Sequence, residues 1–247
     1  MRRVWPWLRS TSAMSNDESP HARLQRAMLR PATTREIVLV LGVPIALSLV
    51  SSIRIGRRAR ATAVLTDQNL LLSLALQVII AGLLLVYLAR RQWRPLDVAG
   101  APELEDLGRG LALWLGLIGI FYLAVLALYT VAPAAVVALR TRAVTGVISA
   151  PMVVAGAVLD PIFEEFLWLG YAIPALGNRF GIRTACVASV VLRVAAHAYQ
   201  GRLALLTILP VAVMMTLYFV KTGRLWPIIV AHIVQDAIAL SFLKAAV

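Results

Sequence analysis

The residues able to move protons or hold charge sit where they are costly. Asp160, Glu164 and Glu165 lie in one long apolar run, Arg193 and His197 in a second, and His232 and Asp236 in a third. An ionisable side chain at mid-bilayer costs about 2.5–3.5 kcal/mol on insertion scales, so such a gathering marks a functional site. The spacing repeats. Asp160 and Glu164, Arg193 and His197, and His232 and Asp236 are each four residues apart, and side chains four apart share a helix face. Three helices with one polar face each would turn those faces inward, toward one another. Carboxylates and imidazoles gathered in this way suit water activation and general acid–base work, metal ligation, or a proton relay.

The elements that must position these residues are membrane helices. The chain has 247 residues, is 60% hydrophobic and carries a net charge of +12. Its mean hydropathy is +0.82. Several apolar runs approach the ~20 residues needed to cross a bilayer. They are continuous rather than alternating, which selects helices over a barrel. The pattern predicts an all-α, polytopic bundle of about seven spans (six to eight). The spans cover roughly 37–53, 70–89, 110–132, 147–176, 182–199, 203–220 and 226–243, the first broken by Pro44. Residues 1–35 form a basic tail, expected to be disordered or to lie on the membrane surface, with Met14 a plausible natural start. Residues 92–109 read as a polar loop, and 133–146 as a loop or a short re-entrant piece. The expected organisation is therefore a tail (1–35), N-terminal spans (36–146) and a core carrying the polar site (147–243). Spans four and five form a hairpin that brings Glu164 and His197 to a similar depth.

The positive charge is almost all arginine and falls in the tail and the loops, where basic residues set orientation and meet anionic lipid. Its distribution favours a cytoplasmic N-terminus in the cell membrane. No stripe of base-reading or stacking residues accompanies it, so nucleic acid is not an expected partner. The single cysteine, Cys186, excludes an internal disulfide and a thiolate metal cluster.

The motifs themselves are Glu164-Glu165 followed by Gly170, His197 some thirty residues on, then Gly223, Leu225 and Trp226 ahead of His232 and Asp236. In order, spacing and membrane context this set resembles the CAAX-processing and bacteriocin-processing intramembrane proteases (the CPBP, or abortive-infection, family). The resemblance covers about 147–243 and implies a four-helix catalytic core acting on a membrane-associated peptide or protein, prenylated or not. It implies that Glu164 and His197 activate water and that His232 and Asp236 face the oxyanion, with no cofactor. Asp236 departs from the more usual Asn; an ionised Asp would repel an oxyanion, so it must be protonated or must orient His232. Two further positions differ: Leu169 stands where the family has an Arg, and Arg193 where it has a Phe. Arg193 is therefore expected to be a relocated counter-charge for Glu165 or Glu164. Glu165 and Asp160 are expected in supporting roles. Three other readings compete: a family member without catalysis that acts as a binding or immunity-type protein, a zinc site built from Glu164, His197, His232 and Asp236, and a proton-coupled transporter.

Overall fold

The computed structural model describes residues 19–57, 66–134, 136, 148–198 and 202–245, and among them every regular element is helical. In chain order these are α1 (Pro20–Leu29), α2 (Thr34–Arg57), α3 (Asp67–Arg90), α4 (Pro95–Ala99) and α5 (Leu104–Val131). Then come α6 (Ala150–Glu165), a π-helical turn (Phe166–Tyr171), α7 (Ala172–Phe180), α8 (Ile182–Ala196), α9 (Arg202–Thr222) and α10 (Trp226–Ala245). The expectations for Met14 and the first residues, and for most of 133–146, fall outside the described residues.

Among the described residues, three helices are long and apolar enough to cross a membrane: 67–90, 104–131 and 205–222. A fourth crossing exists if α1 and the first part of α2, bent by 118° at their junction, count as one. The expected seven is reached only if the shorter helices cross as well. α8 has 15 residues, ~22 Å of helix against ~30 Å of hydrocarbon. The outward faces of α3 and α5 carry exposed Leu72, Leu83, Leu115 and Leu123, as a lipid-facing surface requires. The chain is an integral membrane protein of helical build.

Several sequence expectations change in detail. Pro44 does not break the first span; α2 runs through it. The second half of the tail is folded: the Ser19 hydroxyl accepts from the Ala22 amide at 3.3 Å to start α1. Leu24 on that helix is 2% exposed. The polar stretch 92–109 contains α4 and the first turn of α5, where Asp106 Oδ2 accepts from the Glu103 amide at 2.9 Å. Each change has a local cause that span-scale hydropathy overlooks: a capping side chain, a buried apolar residue, or a helix accommodating proline.

The interior is built around the π turn. Leu169, Tyr171, Ile173, Phe219, Leu225, Ile228 and Ile229 are all fully buried. α10 packs against both α5 and α6, so the N-terminal helices are not separate from the core. The α5–α10 crossing is close because Gly110 lacks a side chain: a Cβ there would lie 2.5 Å from Val230 Cγ1. Small residues permit such approach in membrane bundles.

Candidate active site

The first acidic motif ends α6 and leads directly into the π turn. The Ala172 amide bonds the carbonyl of Leu167, five residues back, which is the defining contact of that turn. The Trp168 carbonyl is taken by the Ser189 hydroxyl of α8 at 2.6 Å, with both residues buried. An extra residue in a turn rotates everything behind it relative to everything ahead. Glu165 and Tyr171 thereby address different neighbours.

Glu165 is fully buried and fully engaged. Arg193 of α8 grips it with two parallel hydrogen bonds, NH1 to Oε1 at 2.7 Å and NH2 to Oε2 at 2.5 Å. This fork-on-carboxylate geometry is the strongest form of the pair. On α10, His232 Nδ1 lies 2.7 Å from Glu165 Oε1. The carboxylate is acceptor-only beside a guanidinium, so Nδ1 carries the proton and donates. One buried carboxylate thus joins α6, α8 and α10. The sequence points to Arg193 as a counter-charge for Glu165 or Glu164, and the structure pairs it with Glu165; the bond between Glu165 and His232 is not among the sequence expectations. Its signal was weak: Glu165 lies ~100° away from the Asp160–Glu164 face.

Arg193 also sets the second histidine. His197 Nδ1 donates to the Arg193 carbonyl at 2.8 Å. His197 is the C-cap of α8, where the helix leaves that carbonyl available. In the neutral ring, Nε2 then carries the lone pair. Arg193 therefore orients Glu165 through its side chain and His197 through its backbone.

Glu164 occupies the same neighbourhood in a different state. It interacts electrostatically with Asp160, Arg193, His232 and Asp236. Its Oε2 is buried and makes no hydrogen bond among the described residues. Asp236 interacts with His197 and His232. Its Oδ2 is 3.6 Å from His232 Nε2, too far for a hydrogen bond, so Glu165 rather than Asp236 holds that ring. Asp160 is bonded to Gln77 of α3, which ties it to the α3–α6 contact. Leu169, at the family's usual Arg position, is completely buried in the apolar core.

Among the described residues, no three of His, Cys, Asp and Glu are placed to hold one metal ion.

α10 is held at its register by a polar clamp outside the apolar layer. Arg224 donates from Nε to Asp106 Oδ1 at 2.8 Å and pairs with Glu103 at 2.6 Å. The hydrogen bond to Asp106 is the main reason its pKa lies above the usual arginine value. Trp226 Nε1 donates to the Gly100 carbonyl at 2.9 Å. Gly223 has φ +67°, and a Cβ there would lie 2.5 Å from the Pro20 carbonyl carbon. The Gly-x-Leu-Trp motif is thus the seam between α9, α10, α1 and the head of α5.

A buried Arg–Glu–His network between apolar helices, beside a second, less engaged carboxylate, defines a helical membrane protein with an intramembrane polar site. Residues 145–238 match the family model described as type II CAAX prenyl endopeptidase Rce1-like, in keeping with the CAAX-processing proteases that the motifs of this segment resemble. The match takes in less than half of the chain but includes every residue of the Glu165 network. Comparison with curated proteins and with solved structures gives no match.

Proposed function

We propose that this chain is an intramembrane endopeptidase hydrolysing a peptide bond of a membrane-associated protein or peptide, prenylated substrates included. Glu164 is the general base and His197 assists it. His232 supports the oxyanion, with Asp236 beside it. The observation that carries this reading is the contrast between adjacent carboxylates. Both oxygens of Glu165 are bonded, whereas Glu164 keeps a buried oxygen without a hydrogen-bond partner among the described residues. A carboxylate neutralised by a bidentate guanidinium is a poor proton acceptor; one beside it with an open lone pair is suited to taking a proton from water. Glu165 is then a positioning residue, since it fixes the His232 ring with Nδ1 as donor. In the charged ring, Nε2–H is directed to the side of Asp236, where an oxyanion would be stabilised. Arg193 supplies the positive charge that Leu169 cannot.

A second reading is motivated by Leu169. A chain without an Arg at that position could keep the fold and the polar groove as a membrane binding or immunity-type protein without catalysis. Purified protein in liposomes, offered fluorogenic peptides with and without a prenyl group, separates the two. The protease reading expects cleavage by the wild type and none by Glu164→Ala of equal stability; no cleavage of any peptide by folded wild type favours the second reading. The same proposal places the chain in the cell membrane with its N-terminus in the cytoplasm. An N-terminal reporter that folds only in the cytoplasm should be active, and its silence would reverse the orientation.

A further inference from the structure

A second polar cluster lies apart from the Glu165 network, where α1 meets α2 and α3 ends. Glu36 is completely buried at the start of α2. It accepts from Arg30 NH1 at 2.8 Å, Arg91 Nε at 3.2 Å and the Tyr171 hydroxyl at 3.0 Å. Arg30 also donates from Nε and NH2 to the Arg91 carbonyl, at 3.2 and 3.1 Å. The arginines are thus fixed in place rather than free to swing. Beside them is an open pocket of about 410 Å³ lined by Arg30, Pro31, Arg90, Arg91 and Gln92.

The charges in this pocket do not cancel. Three guanidiniums face one carboxylate, and among the described residues no acid pairs with Arg90. Each guanidinium has five N–H donors, and Arg91 spends only Nε on Glu36. Its two terminal amino groups and the whole of Arg90 remain available for an oxyanion. Gln92, at φ 57°, makes the tight turn that places these residues together.

The depth is also defined. α3 has 24 residues, ~36 Å of helix against ~30 Å of hydrocarbon, so Arg90 at its end lies at headgroup level. Exposed Leu83 and Val86, one to two turns earlier, face outward on the same helix. A tethered, doubly positive pocket directly above an apolar, lipid-facing wall fits a ligand with a phosphate head and acyl tails.

We propose that Arg30, Arg90 and Arg91 form a binding site for the phosphate group of an anionic phospholipid. The wall below takes the acyl chains and the pocket takes the headgroup. A choline headgroup brings its own cation and is disfavoured beside three arginines, so phosphatidylglycerol binds in preference to phosphatidylcholine. The site is independent of the protease reading, because it uses none of its residues.

Native mass spectrometry of the full chain released from micelles tests this, with phosphatidylglycerol, phosphatidylcholine and glycerol 3-phosphate as probes. Arg90 takes no part in holding Glu36, so Arg90→Gln should fold normally, as checked by its thermal unfolding. One interfacial arginine contributes about a five-fold change in affinity, so Arg90→Gln should bind phosphatidylglycerol about five-fold more weakly. Arg90→Lys should retain most of the binding, and Arg183→Gln, an exposed arginine elsewhere, should match wild type. Equal binding by wild type and Arg90→Gln, or an equal loss in Arg183→Gln, overturns the site. Glycerol 3-phosphate binding as tightly as the lipid overturns the lipid as its ligand in favour of a soluble phosphate.

Discussion

Arg193→Leu should be among the most destabilising single changes the chain can suffer, and a second change should repair it. Arg193 is 3% exposed and is the bidentate partner of a fully buried Glu165. Removing it leaves a carboxylate in an apolar interior with only the His232 bond. Breaking a buried pair by deleting one partner costs about 3–5 kcal/mol. For a chain of this size about 2–4 °C follows each kcal/mol, so thermal unfolding in micelles should fall by roughly 6–20 °C. The repair follows from helix geometry. Leu169 is four residues after Glu165, inside the π turn and fully buried. An arginine introduced there can reach Glu165 from its own helix, so Arg193→Leu combined with Leu169→Arg should recover at least half of the loss. Leu169→Arg alone should destabilise, because it places two guanidiniums on one carboxylate and overfills the core. A midpoint for Arg193→Leu within ~1 °C of wild type, or a double variant no better than the single, would refute the relocation of the counter-charge.

Other expectations follow from the same geometry. Glu165→Gln combined with Arg193→Leu removes both charges, so stability should exceed that of Arg193→Leu alone while cleavage stays impaired, because His232 loses its carboxylate acceptor; peptide turnover and unfolding on the same samples check this. Gly223→Ala should lose at least about 1–2 kcal/mol in chemical unfolding, since it forces a side chain into left-handed backbone before the clash with Pro20 is counted. Arg224→Met should cost about 1–3 kcal/mol by leaving Asp106 without its charged partner, and slower turnover should accompany it because α10 loses its anchor. Activity should survive chelation followed by exhaustive dialysis; its loss, restored by zinc, would revive a metal site.

What the sequence made legible was the set of polar residues rather than their wiring. Apolar runs interrupted by acids and histidines at four-residue spacing pointed to α6, α8 and α10 as the helices that converge. The absence of an arginine at Leu169 drew attention to Arg193. The π turn left no trace, because a hydrogen bond five residues back needs no particular residue type; it is supported here by Ser189, which is distant in sequence. The Glu165–His232 bond was missed because the four-residue spacings single out the Asp160–Glu164 face, and Glu165 points ~100° away from it on the same regular helix. Glu36 was overlooked because it stands at the very edge of an apolar run, where an acid ordinarily meets water or a helix N-terminus. Only the packing of α1, α3 and the π turn buries it. The number of crossings was the least legible property, since hydropathy does not distinguish a short helix buried among others from one that spans.

The central claim is that Glu164 acts on water while Glu165 positions. The most direct measurement is peptide cleavage by Glu164→Gln and Glu165→Gln in liposomes, with thermal unfolding of each as the control for folding. The account predicts that Glu164→Gln keeps the wild-type unfolding temperature and loses turnover by at least about 100-fold, the usual scale of a general base. It predicts that Glu165→Gln unfolds at a lower temperature. Glu164→Gln retaining wild-type turnover, while Glu165→Gln abolishes it without loss of stability, would reverse the two roles and contradict the account.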